Sequence, residues 1–339
     1  MTKEQINKLI AYGEFPEKEG RRELIETHIS WVILCDHYVY KIKKPVQYTF
    51  LDFSTLALRK HFCQREIDLN KRLTEGIYIN VLPVSEWPDG YGIGSSKGTI
   101  IDYAVRMYKI DQDKQMDQLL LQDKVSEQAI VLLAEKVASF HKKTAVVHHK
   151  NYLDVQEMFN DLAGQRDFLG RSLGEESSNC ISRAIEISDN FIEKHKPRLE
   201  YRLREGFFRD CHGDLHSRNI FLLPAPQPFD CIEFNDDLRQ IDVLNEVAFL
   251  CMDLDVFGRE NLAELFLERY NQCFPAMNTK EDRSLFIYYK SYRANIRAKV
   301  NSLRARTAAD ETEKKRALLT ADKYLQLMDK YLKLPGLML

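Results

Sequence analysis

The chain has 339 residues, 44% apolar and 29% charged, and its 49 Lys and Arg stand against 51 Asp and Glu for a net charge of −2. This is a soluble globular profile, long enough for one two-lobed domain or two ordinary ones, and the balance of charge excludes bulk electrostatic binding to nucleic acid or a membrane surface. Seven cysteines occur singly at irregular spacings, which argues against a zinc site or disulfide framework and for a reducing cytoplasm. The opening MTKEQINKLIAYGEFPEKEG lacks an apolar signal core, and no apolar run approaches the ~20 residues that span a bilayer.

Up to about residue 24 the pattern suggests a short helix and an irregular lead-in. SWVILCDHYVYKIKK (30–44) reads as two short strands turning near Asp36 and His37. A helix then opens with Ser54 as N-cap and runs through HFCQREIDLNKRL. Leu58, Phe62, Leu69 and Leu73 share one face of it, and Glu66 falls at that face's edge, where a carboxylate is costly unless paired. Lys41 and Lys43 lie on one side of the preceding strand. A strand Lys paired with a Glu on the next helix is a device for presenting an ammonium to nucleotide phosphates. The plainer alternative is that Glu66 reaches solvent.

INVLPVSEW (79–87) and TIIDYAVRMYKI (99–110) read as a further strand pair. Their connection contains GYGIGSSKG, which is not GxxxxGK[ST] and does not open a helix, so a flexible hairpin tip is expected there. ThrHisIleSer (27–30) is the better candidate for a phosphate-contacting loop, with Ser30 as its binding residue. From about residue 111 the chain turns mainly helical. In 125–143, Ile130, Leu133, Ala134, Val137 and Phe140 keep the helical period. His141, at that helix's end, reads as structural or capping. The layout is α+β: a small β-rich lobe over 1–110 and a larger helical lobe over 111–339, with the nucleotide expected in the cleft between lobes.

CHGDLHSRNIFL (211–222) is a polar loop entering a strand. Turn chemistry alone would account for Asp and Asn there. The sharper reading has Asp214 accept a proton from an attacking hydroxyl while Asn219 offers an amide oxygen to Mg²⁺, with Mn²⁺ as an alternative. A second metal carboxylate is expected on the next strand, PFDCIEF (228–234). Glu233 shares the parity of Phe229 and Cys231 and is preferred, with Asp230 as the fallback. His212 is expected to prop the loop. Further on, Lys290, Arg293, Arg297 and Arg304 fall on one face of a helix over 288–304. Arg293 and Arg297 are therefore candidate contacts to an anionic acceptor, against the commoner reading of a solvated or paired charge run.

HGDLHSRN resembles the catalytic-loop motif HGDxxxxN of aminoglycoside phosphotransferase-like kinases. The resemblance spans roughly residues 23 to 305 and implies a two-lobed protein-kinase-like fold. It also implies ATP as co-substrate, Asp214 as catalytic base, Asn219 as a Mg²⁺ ligand, and Lys41 with Glu66 as the phosphate-positioning pair. Glu233, in IleGluPhe, stands where the family usually carries Asp, and IleAspValLeuAsnGluValAla (241–248) is similar to the family's GDPxxDLA. The adenine would lie against 105–109, including Met107, and the acceptor would be a small-molecule hydroxyl. The pattern looks like a bacterial branch in some members of which a P-loop ATPase domain follows; no such domain is read in this sequence. The alternative function is a pseudokinase that binds nucleotide and regulates a partner.

Overall fold

Alternation along YVYKIK organises the first part of the protein. In the computed structural model, which describes residues 1–18 and 20–337, these residues form the third strand of a six-stranded antiparallel sheet. Its order is β1 (Glu23–Glu26), β2 (Ser30–Leu34), β3 (Tyr38–Lys43), β8 (Thr99–Tyr108), β6 (Tyr78–Trp87) and β7 (Gly90–Ile93). Tyr40 and Ile42 are buried on one face with Ile6 and Leu9 of α1 (Lys3–Tyr12), Ile33, Val84 and Ala104. Lys41 and Lys43 face the other way, toward α2 (Leu56–Asn70). On that face Cys63 and Ile67 of α2 pack with Ile77, Tyr78, Val105 and Phe221.

Several local expectations change. The N-cap of α2 is Thr55, whose hydroxyl accepts from the Leu58 amide at 3.2 Å. Ser54 instead bonds Asp52, which closes a small hairpin of β4 (Gln47–Tyr48) and β5 (Leu51–Asp52). GYGI is strand β7, paired along β6, rather than a hairpin tip. A Cβ on Gly90 would stand 2.4 Å from the Trp87 ring nitrogen, so the ring as packed leaves room only for glycine.

The chain forms two compact units. One comprises Met1–Asp123 with Arg218–Arg239, the other Lys124–Ser217 with Gln240–Leu339. The sheet unit thus runs to Asp123 and also takes in 218–239. That unit also contains α3 (Met116–Leu121) and the short ladder of β10 (Ile220–Phe221) with β11 (Gln227–Pro228).

The second unit is helical: α4 (Glu127–Lys143), α5 (Asp154–Asn160), α6 (Arg166–Leu173), α7 (Glu175–Arg204), α8 (Val243–Val256), α9 (Glu260–Cys273), α10 (Lys280–Arg306) and α11 (Glu311–Leu332). Among its described residues a short ladder pairs β9 (Phe208–Asp210) with β12 (Gln240–Asp242). Helix α8 is buried from Val243 through Leu254. Such a helix carries polar side chains only where they are satisfied. Its N-cap, Asp242, accepts from the Leu244 amide and takes the Arg202 fork at 2.6 and 2.8 Å. Among the described residues no helix is long and apolar enough to cross a membrane.

Candidate nucleotide and catalytic residues

In the sheet unit, Lys41 and Lys43 sit two residues apart on one strand face, about 7 Å along the backbone. The two oxygens of Glu66 bridge them: Lys41 Nζ lies 2.9 Å from Oε1 and Lys43 Nζ 2.8 Å from Oε2. The expected pair of Lys41 with Glu66 is present, and Lys43 shares the same carboxylate. Lys43 is fully buried and pairs with Glu233 as well. Lys41 keeps 14% of its side chain exposed and also holds Asp230 at 2.6 Å. Burial opposes ionisation of Glu66, but the two ammonium groups outweigh it and hold its pKa at about 2. Glu233 moves the other way: burial and the neighbouring Glu66 charge raise its pKa despite Lys43.

Segment 229–234 is not a strand. Ladder pairing ends at Pro228, and Asp230 takes φ +61°, a left-handed conformation that Asp tolerates better than most residues. Side chains replace the ladder. The Asp230 amide donates to Tyr78 Oη at 3.2 Å, the Cys231 amide to Asn70 Oδ1 at 2.9 Å, and Arg239 Nη1 to the Ile232 carbonyl at 2.9 Å. The parity argument that preferred Glu233 over Asp230 therefore has no strand beneath it. Glu233 is buried, whereas the Asp230 side chain is 44% exposed. Asn219 is buried just before β10, and its carbonyl accepts from the Phe229 amide at 2.8 Å.

Ser30 does not present a ligand group. It is fully buried at the start of β2, and its amide bonds Thr27 Oγ1 at 2.9 Å to close a tight turn. Met107 is part-buried beside Tyr78, Phe221 and Phe229, and Phe221 stacks on Phe229 with centroids 4.5 Å apart. This is an apolar surface of the kind a planar base packs on.

In the helical unit, the loop after β9 is tied down through backbone amides. His212 N–H donates to both Glu246 oxygens at 2.9 Å, and Gly213 N–H to Oε2 at 2.6 Å. The Asp214 amide donates to His212 Nδ1 at 3.2 Å and the Ser217 amide to Asp253 Oδ2 at 2.8 Å. These bonds leave the Asp214 side chain 37% exposed, with His216 Nε2 3.4 Å from its Oδ2. Burial opposes its charge, but His216, Arg297 and His212 hold the carboxyl well below its usual range. Asp214 is therefore ionised near neutral pH.

The basic stripe on α10 is not an open face. Lys290 pairs with Asp255 at 2.5 Å and Arg304 with Glu313 at 3.0 Å. Arg293 is buried and bonds Asn245 and the Gly213 carbonyl. Only Arg297 of the two candidate acceptor contacts lies where its charge bears on Asp214. Sequence reading missed Glu246, Lys43 and Asn70 as organising residues. The similarity of 241–248 to GDPxxDLA marked the position of Glu246 without giving its role. His141, read as structural, is fully buried between Tyr270 and Glu246.

No family model matches the chain. Uncharacterized proteins of Mycobacterium tuberculosis and Mycobacterium bovis are 31% identical over 317 residues, covering 89% of this chain but 59% of theirs, so the chain spans little more than half the length of these relatives. Among solved structures, a choline kinase from Cryptosporidium parvum aligns with a TM-score of 0.57 at 11% identity, over 94% of this chain and 91% of its own. A choline/ethanolamine kinase family protein from Mesorhizobium loti gives 0.54 at 12%, over 93% and 89%. The GDP complex of an aminoglycoside 2′-phosphotransferase gives 0.55 at 12%, over 91% and 92%. At such identities the likeness is one of fold, and the chain has the α+β protein-kinase-like fold, with an antiparallel sheet in its N-terminal part and a helical C-terminal part.

Proposed function

We propose that the protein is an ATP-dependent phosphotransferase acting on a hydroxyl of a small molecule. The observation that carries this reading is Asp214, an ionised and part-exposed carboxylate on a loop fixed by buried bonds. As the acceptor oxygen bonds to the γ-phosphorus, the bond to the β–γ bridging oxygen breaks and ADP leaves with that electron pair. The hydroxyl proton passes to Asp214. Lys41, the more exposed lysine, contacts the phosphates and Glu66 fixes its direction, while Lys43 serves as the internal counter-ion of Glu233. The adenine packs near Met107.

Asn219, Glu233 and Asp230 offer only oxygen donors, which suits Mg²⁺ or Mn²⁺. Asn219 and Glu233 would hold the ion, with the more exposed Asp230 beside Lys41. When bound, the ion neutralises charge on the phosphoryl oxygens. Lys290, Arg293 and Arg304 are paired within the fold, so an anionic acceptor would rest on Arg297, and the acceptor is read as a small hydroxyl compound rather than nucleic acid or a membrane lipid surface. One observation favours a second reading, a pseudokinase: Lys43 holds Glu233, and Lys41 is already seated on Asp230.

The test incubates the full chain with γ-labelled ATP, Mg²⁺ or Mn²⁺ and a pool of hydroxyl-bearing metabolites. Label transfer to a small molecule supports the transferase. Saturable ATP binding with no transfer under either metal selects the pseudokinase.

A further inference from the structure

Gly213 immediately precedes Asp214 and takes φ +88°, a left-handed backbone that other residues resist. It is held from both sides. Its N–H donates to Glu246, and its carbonyl accepts from Arg293 Nη1 at 3.3 Å. Arg293 is itself set by its neighbours: Nε donates to Asn245 Oδ1 at 2.7 Å, and the guanidinium lies 4.7 Å from the Phe249 ring centroid. Asn245 and Glu246 are consecutive residues of α8, so one buried helix supplies both braces.

Glu246 is steadied from behind as well. His141 Nε2 lies 2.9 Å from its Oε1, and Tyr270 Oη lies 2.7 Å from His141 Nδ1. An ionised carboxylate only accepts, so Nε2–H donates to Glu246, and Nδ1 accepts the hydrogen bond of the Tyr270 hydroxyl. His141, Cys211 and Glu246 bring ligand-type atoms within 4.8 Å of one another. Both His141 nitrogens and both Glu246 oxygens are already bonded, and Cys211 Sγ donates to the Ile241 carbonyl at 3.6 Å. The cluster is a strut rather than a cation site.

We propose that Arg293 and His141 are positioning residues for the base, acting through the two sides of Gly213 to fix where the Asp214 carboxylate stands. This rests on the reading of Asp214 as proton acceptor. It assigns Arg293 to the loop instead of to an acceptor. The planar fork of Arg serves Asn245 and Gly213 at once, which a Lys ammonium does not reproduce. Arg293→Lys therefore separates geometry from charge. Likewise His141→Phe removes the donor to Glu246, whereas His141→Gln can retain one.

The experiment uses the full chain with Mg·ATP and water as acceptor, reading ADP and phosphate release, together with amide hydrogen exchange over residues 209–216. Arg293→Lys and His141→Phe are expected to lower kcat by about 100-fold, the scale of a misplaced reacting group, with KM for ATP held and both variants still folded at the assay temperature despite a lower melting midpoint. Exchange at the His212 and Gly213 amides should quicken, and His141→Gln should restore most of both readouts. If the wild type turns over and Arg293→Lys matches it, the inference is overturned while the transferase reading stands. If the wild type releases no phosphate to water, the transferase reading is decided by the label-transfer test, and exchange alone decides the clamp: faster exchange in both variants upholds it, and wild-type exchange overturns it.

Discussion

Lys41 and Lys43 carry the same charge on the same strand face, and burial separates their work. Lys43 has no exposed surface and two carboxylate partners. Removing one partner of a buried ion pair costs about 3–5 kcal/mol, so Lys43→Met should unfold at clearly lower urea than wild type. Lys41 is part-exposed, and Lys41→Ala should lose less stability while turnover falls about 100-fold, the effect of deleting one charge-stabilising donor. Urea melts and ATP turnover on both variants check the assignment; interchanged phenotypes would reverse it. At this scale Asp214 and Asn219 could be singled out as candidates because HGDxxxxN is local in sequence. Parity gave the shared face of the two lysines and the Lys41–Glu66 pair was expected, but not that one Glu66 bridges both.

At the level of elements, α2 and α8 each fix a loop that has no ladder of its own. Asn70 ends α2, donating to the Glu66 carbonyl at 2.8 Å and accepting from the Cys231 amide. Asn70→Ala strands a buried amide, which costs roughly 1–3 kcal/mol; a melt with an unchanged midpoint would show that the contact is idle. Glu246 on α8 gives a pH signature. Burial raises its pKa, but the bonds from His141 and His212 prevail and lower it from 4.5 to about 2. A depressed carboxylate contributes stability above its unfolded pKa and loses it as pH falls through the folded value. Its share, on the order of 3 kcal/mol, should therefore be present above about pH 4.5 and fade toward pH 2. Urea unfolding across that window should show a shallower pH slope for Glu246→Gln; a slope equal to wild type would contradict the assignment. The strands of the sheet and helix α4 were readable from periodicity. PFDCIEF was misread because its apolar alternation imitates a strand, while the chain there is held by Asn70, Tyr78 and Arg239, residues distant in sequence.

For the whole molecule, composition and element order were enough for an α+β protein with a sheet-rich first part and a helical second part. The domain boundary was not, because residues 218–239 return to the sheet unit after almost a hundred residues in the helical one, and no local pattern marks that return. The central claim is that this fold transfers a phosphoryl group with Asp214 as base. The most direct measurement compares wild type with Asp214→Asn for Mg·ATP affinity and for ATP turnover with the acceptor from the metabolite pool, or with water. The account predicts affinity close to wild type and turnover lower by about 100-fold or more. Equal turnover in a correctly folded Asp214→Asn would contradict it.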